Sequence, residues 1–305
     1  MNELPGGIWP VMLTPFTEMG EIDYKGLEAL TEFYIASGAS GLFTNCLSSE
    51  MFQLSPEERL ALTKAVVRFA ADRLPVISTA TFSQDQEKNV DFIHRIYDKG
   101  VACVVINSNQ ICDESDGELV FRSRLENLLE AADNIPLGMY ECPVPYKRLL
   151  SQELLVWMAS TGRFSYFKDT CCNNNLIRAR ISVSENSLLS LYNANTPTAL
   201  ESLRDGAAGL SPIGANFYPE LYSCLYHNAR KEETMEFMKV WQFLLVNDPL
   251  VHELYPFSAK WFLQRRGLPI STHTRNRVPK ASKEEMIRLQ ELLARMEALT
   301  EILKE

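Results

Sequence analysis

The sequence predicts a single (β/α)8 barrel, in the α/β class, with a helical extension at its C-terminal end. Three observations predict it. Short apolar segments rich in Val, Ile, Phe and Tyr recur eight times within residues 7–216, their starts 21 to 34 residues apart. Stretches with helical spacing lie between them. After Asn216 the strand signal stops, and residues 219–305 read as helices with no linker or low-complexity stretch before them. The expected organisation is a barrel over residues 1–218 and C-terminal helices over 219–305 packed on it as one domain. An open doubly wound sheet usually carries a Gly-rich phosphate loop after its first strand, and the segment Thr14 to Asp23 is no such loop.

The predicted strands, in order, are 7–13, 41–46, 75–81, 103–107, 136–141, 164–169, 188–194 and 209–216. Each is a short apolar run bounded by Gly, Pro or polar residues, as expected of strands buried on both faces. Of the intervening helices, the first places Leu27, Leu30 and Tyr34 on one face and stops at Gly38. The second opens with Ser55-Pro56-Glu57-Glu58, a capping box with Pro in the first turn, and carries Leu62, Val66 and Phe69 inward. The third repeats the spacing with Val90, Ile93 and Tyr97 before Gly100. In the C-terminal region the last helix opens with a second capping box, Ser282 to Glu285.

Composition narrows the function. With 30 Lys and Arg against 39 Asp and Glu the net charge is −9. Nucleic acid and anionic membranes need basic surfaces and are not expected partners. No window approaches the roughly 18 apolar residues of a membrane span, and the first residues lack a signal peptide's basic and apolar regions. Seven cysteines, an odd number without a CxxC pair, fit reduced thiols and a cytoplasmic setting. The four histidines are scattered and show no metal-ligand spacing, so neither a metal nor another cofactor is expected.

Barrel active sites lie at the carboxyl ends of the strands. The sixth strand delivers Lys168 there, after the apolar run Phe164 to Phe167. A lysine in apolar surroundings loses solvation of its charged form, and the free amine can add to a ketone to give an iminium ion. Position alone also fits a lysine in a solvated loop or an ion pair. Tyr140, ending the fifth strand, is a candidate proton shuttle or a core tyrosine. Ser48 and Ser49, after the second strand, are suited to holding a carboxylate, or are plain turn residues. Asn193, Asn195 and Asn216 are candidates for recognising hydroxyls of a substrate. Glu50 is expected to bond backbone amides in its turn, and Cys171 and Cys172 to pack.

Taken together the strand ends resemble the dihydrodipicolinate synthase / N-acetylneuraminate lyase family of class I pyruvate aldolases. The resemblance runs from about residue 7 to 295 and rests on five features. These are the opening Gly7 to Phe16, Ser49-Glu50 followed by Leu54 to Arg59, Tyr140 with Pro143, Lys168-Asp169-Thr170, and Gly209 to Asn216. It implies a Schiff base on Lys168, a 2-oxo acid ligand such as pyruvate or a sugar-acid derivative, and a homotetramer. The departures are informative. Leu47 stands where the synthases carry a hydroxyl of their relay, Ser108-Asn109-Gln110 replaces a tyrosine pair, and the synthase arginine falls on Pro145, with Arg148 close by. The resemblance therefore implies an aldolase of 2-oxo acids other than a dedicated dihydrodipicolinate synthase. A dehydratase of 2-keto-3-deoxy sugar acids and a non-catalytic 2-oxo-acid-binding protein are the alternatives.

Overall fold

The computed structural model describes residues 3–303. The strands are β1 (Gly7–Ile8), β2 (Leu42–Thr44), β3 (Val76–Thr79), β4 (Cys103–Asn107), β5 (Leu137–Tyr140), β6 (Phe164–Asp169), β7 (Ser190–Asn193) and β8 (Gly209–Leu210). All pair in parallel, in the order β1-β8-β7-β6-β5-β4-β3-β2. The ring closes where Val11 pairs in parallel with Phe43. There the Phe43 N–H donates to the Pro10 carbonyl at 3.1 Å, and the Met12 N–H to the Phe43 carbonyl at 2.9 Å. Closure leaves the sheet no free edge.

The first and last strands are shorter than the sequence pattern predicts. Pro10 and Pro212 lack the N–H that would continue each ladder, and residues 213–216 curl into a 3-10 turn instead. The two strands also approach unusually closely: a Cβ on Gly209 would sit 2.0 Å from the Gly7 carbonyl oxygen. Only glycine fits there.

Among the described residues eight helices alternate with the strands: α1 (Tyr24–Ala36), α2 (Pro56–Ala70), α3 (Gln86–Tyr97), α4 (Glu118–Ala131), α5 (Gln152–Ser160), α6 (Asn174–Ser184), α7 (Ala199–Asp205) and α8 (Pro219–Asn228). Leu27, Leu30 and Tyr34 of α1 are fully buried, as are Leu62 and Val66 of α2, with Phe69 close behind. The α2 capping box forms as the sequence predicts. Ser55 Oγ accepts from the Glu58 N–H at 3.1 Å, and the Ser55 N–H donates to the Glu58 carboxylate at 2.8 Å. On α3 the inward face is Asn89, Phe92, Ile93 and Ile96, and Tyr97 is exposed. The i, i+3, i+7 spacing caught one flank of that face, which turns one residue earlier than expected.

α8 packs against β1 and β8 as the eighth barrel helix, so the boundary at residue 218 falls one helix too early. The extension is α9 (Met235–His252), α10 (Phe257–Arg265) and α11 (Lys283–Ile302). α9 lies across the turns that follow β7 and β8, at the carboxyl-end mouth of the barrel, and α11 packs on α9.

Glu50 ties this extension down. Its carboxylate accepts from Lys260 Nζ at 2.7 Å and from the backbone N–H groups of Arg275 and Asn276, both at 2.6 Å. Both side chains of the ion pair are fully buried. The amides Glu50 bonds are thus in the C-terminal segment and not in its own turn. Removing one partner of a buried pair leaves an uncompensated charge. Glu50→Ala is therefore expected to lower the unfolding free energy by about 3–5 kcal/mol in urea denaturation; a loss below about 1 kcal/mol, in the surface-pair range, would contradict this anchoring.

Candidate active site

Lys168 on β6 and Tyr140 on β5 are register partners in the parallel ladder. Partners so paired point to the same face, and here that face is the barrel interior. Lys168 Nζ lies 4.6 Å from the centre of the Tyr140 ring and 5.6 Å from that of Phe43. Beneath it the interior is aromatic. Tyr166 stacks on Tyr192 with ring centres 4.4 Å apart, and both lean on Trp9.

Lys168 is 4% exposed. Among the described residues no carboxylate forms an ion pair with it, and the aromatic faces compensate a buried ammonium only weakly. Burial lowers its amine from 10.5 to about 8, against a small opposing effect of the Cys46 and Cys142 sulfurs. Burial also pushes the Cys142 thiol up to about 11, so that group is neutral at physiological pH. Tyr140 is raised well above 10 by burial and stays a phenol. The pair thus offers a near-neutral amine beside a protonated hydroxyl.

The strand ends are held from behind. Asp169, one step past Lys168, points out of the barrel and pairs with Arg180 of α6. Arg180 also binds Glu141, the residue after Tyr140, at 2.9 Å. Glu141 accepts in addition from the N–H groups of Leu150 at 2.8 Å and Thr170 at 3.1 Å. All three charged side chains are fully buried. One guanidinium therefore fixes the ends of β5 and β6 together, and with them the spacing of Tyr140 and Lys168.

Lys168 and Tyr140 open into a cavity of about 470 Å³ at the carboxyl-end mouth. Of the sequence-predicted residues, Ser48 and Asn195 also line it. Ser49, Asn193 and Asn216 do not. The Ser49 hydroxyl donates to the Met12 carbonyl at 2.6 Å, and Asn193 Nδ2 donates to Thr198 and Ser202. Asn216 lies behind the wall, bonded to Val11, Tyr34 and Tyr255. Leu47 faces the cavity. Arg148 does not reach it; its guanidinium donates to carbonyls of residues 113, 114 and 116. Asn109 ties the loop after β4 to the carbonyls of Cys142, Val144 and Tyr146. Cys172 is exposed and lines the mouth, whereas the sequence reading made it a packing residue.

Sequence reasoning missed Lys147 and Tyr255. The Lys147 ammonium donates to the Thr170 carbonyl at the rim, and among the described residues no acidic side chain lines the cavity. Tyr255 arrives from the break between α9 and α10. The signal available for it was Pro256 interrupting an otherwise helical stretch.

The mouth of this parallel barrel thus holds a buried lysine, without an ion-pair partner among the described residues, beside a tyrosine. The chain belongs to the dihydrodipicolinate synthetase family, whose model matches residues 4–296. It is similar to the 4-hydroxy-tetrahydrodipicolinate synthase of Laribacter hongkongensis, 26% identical over 84% of this chain and 87% of that one. The corresponding protein of Staphylococcus carnosus is 24% identical over 77% and 79%. Among solved structures, a dihydrodipicolinate synthase from Acinetobacter baumannii superposes with a TM-score of 0.84 over 96% of this chain and 98% of its own, at 23% identity. That likeness shows the fold.

Burial of Lys168 has a thermodynamic sign. Below pH 10.5 the unfolded chain binds a proton that the folded site takes up only near pH 8, so folding is penalised increasingly as pH falls across that window. Lys168→Met removes the penalty. At pH 7 the variant is expected to be more stable by up to about 3 kcal/mol in denaturant unfolding. Equal or lower stability would show that the amine is solvated or paired.

Proposed function

We propose that the protein is a Schiff-base-forming lyase, a class I aldolase that cleaves or forms a C–C bond in a 2-oxo acid, with pyruvate as product or donor. The observation that carries this reading is Lys168: an amine with a pKa of about 8, without an ion-pair partner among the described residues, aligned with Tyr140 at the mouth of a cavity. Family membership supports it, as does the Acinetobacter baumannii dihydrodipicolinate synthase, whose structure is of a complex with pyruvate. A homotetramer in the cytoplasm belongs to the same reading.

In this reading the free Lys168 amine attacks C2 of the 2-oxo acid. Tyr140 passes a proton to the developing alkoxide, and the carbinolamine loses water to give an iminium ion. The cation accepts the electron pair of the C3–C4 bond as it breaks. The substrate's 4-hydroxyl gives up its proton and an aldehyde leaves. The remaining enamine is protonated at C3, and water then attacks C2 to release pyruvate and the lysine. Ser48 would hold the carboxylate, with the first N–H groups of its 3-10 turn as further donors. Lys147 and Asn195 would meet the distal part of the substrate.

Leu47 supplies no hydroxyl to the cavity, Asn109 is committed to backbone carbonyls, and Pro145 is no donor. These residues support an aldolase of 2-keto-3-deoxy sugar acids or related compounds over a dedicated dihydrodipicolinate synthase. Incubation with a panel of such acids, with product analysis, is expected to yield pyruvate plus an aldehyde. Lys168→Ala should lower turnover by at least about 10³-fold. A product keeping the full carbon skeleton minus water would instead assign a dehydratase, and turnover unchanged in the variant would refute the Schiff base.

A further inference from the structure

Lys147, from the loop after β5, brings to the cavity wall a positive charge that no side chain answers. Its ammonium donates to the Thr170 carbonyl, and among the described residues no carboxylate lies within ion-pair distance of it. An ammonium has three N–H donors, so two remain for a ligand. His252 also lines the wall, but Asp248 stands 3.7 Å from its ring nitrogen and answers any charge it takes up. In the Schiff base the iminium on Lys168 and the carboxylate beside C2 cancel. A ligand with one carboxylate therefore leaves the cavity positive, and a second carboxylate brings it to neutrality.

The place of that charge follows from the strand ends. The Thr170 N–H donates to the Glu141 carboxylate at 3.1 Å and its hydroxyl to the Glu141 carbonyl at 2.9 Å, so the carbonyl that receives Lys147 belongs to the braced end of β6. Thr170 lies two residues beyond Lys168, roughly 7 Å along the strand direction. Asn195 stands close to it across the sheet, because Asp169 pairs with Asn193 and the Ala194 N–H donates to the Asp169 carbonyl at 3.0 Å. Asn195 Oδ1 accepts from the Thr198 N–H at 3.2 Å and the Thr198 hydroxyl at 2.9 Å, which leaves its NH2 as a donor on the cavity wall. We propose that the cavity takes a dicarboxylic 2-oxo acid, its second carboxylate held by the Lys147 ammonium and the Asn195 amide. The proposal rests on the Schiff-base reading and deepens it: C3–C4 cleavage then releases pyruvate and an aldehyde that carries a carboxylate. A phosphate dianion would call for another uncompensated cation, and beyond Lys168 the wall offers none among the described residues.

The test uses two probes of equal carbon count that differ at one end: 2-oxoglutarate, with a terminal carboxylate, and 2-oxopentanoate, with a methyl. Equal sub-saturating amounts compete for sodium borohydride trapping on the full-length protein, read by intact mass. Pyruvate alone is a separate arm, Lys168→Ala marks adducts formed elsewhere, and each variant is checked by a thermal melt. The adduct ratio in wild type, relative to Lys147→Met, is expected to favour the diacid about fivefold, the upper range for an exposed ion pair. High salt should shrink that preference. Lys147→Arg should keep it and Lys147→Glu should reverse it, a change of sign that a merely structural role would not produce. Asn195→Asp, which keeps the oxygens that meet Thr198 and replaces the NH2 donor, should lower it. An adduct ratio unchanged across the Lys147 variants, or trapping of neither longer acid while pyruvate is trapped, would overturn the distal carboxylate site and leave the Schiff-base reading standing. A wild type that traps none of the three would overturn that reading and this proposal with it.

Discussion

The site depends on keeping one amine where water cannot stabilise its charge. Lys168 sits over an aromatic floor of Trp9, Tyr166 and Tyr192, with the rings of Phe43 and Tyr140 beside it and no carboxylate in reach among the described residues. A carboxylate partner would have stabilised the ammonium and silenced it as a nucleophile. The barrel instead sends its acids outward. Asp169 and Glu141, the neighbours in sequence of Lys168 and Tyr140, alternate to the far side of the sheet and are neutralised there by Arg180. Strand alternation thus separates charge from chemistry by a single residue step.

That arrangement needs rigid strand ends, and the ion cluster provides them at a place where water is excluded. A buried guanidinium between two carboxylates is weak grounds for claiming net stability, because desolvation offsets much of the attraction. Its value here is geometric. Arg180 also donates to the Leu150 carbonyl at 2.7 Å, so the end of the β5–α5 connection is pinned with the strands. The Glu50–Lys260 pair plays the same part for the extension, fixing the segment that places Tyr255 and Asn276 at the mouth. In both cases a buried charge away from the cavity sets where cavity-lining groups stand.

Much of this was legible in the sequence, for identifiable reasons. Strands buried on both faces give continuous apolar runs, and helices between them keep a 3.6-residue period, so the barrel followed from pattern. Lys168 and Tyr140 were legible because each closes such a run at a strand's carboxyl end. Residues beyond the strand ends were less so. Ser48 and Ser49 are adjacent and chemically alike, yet one faces the cavity and the other bonds Met12 in the core; only the 3-10 turn separates them. Asn193 and Asn216 carried the right chemistry but spend it on the wall. Tyr255 and Lys147 were invisible because their place in the cavity wall arises from how α9 and the loop after β5 lie over the mouth. Local pattern does not encode that placement.

The central claim is that Lys168 forms an iminium with a 2-oxo acid. Its most direct test is peptide mapping by mass spectrometry after borohydride reduction in the presence of pyruvate, on the wild type and on Lys168→Ala. The account predicts a single reduced pyruvyl adduct on the peptide carrying Lys168 and none on the folded variant. An unmodified Lys168 in folded wild type, or an adduct that persists in the variant, would contradict it.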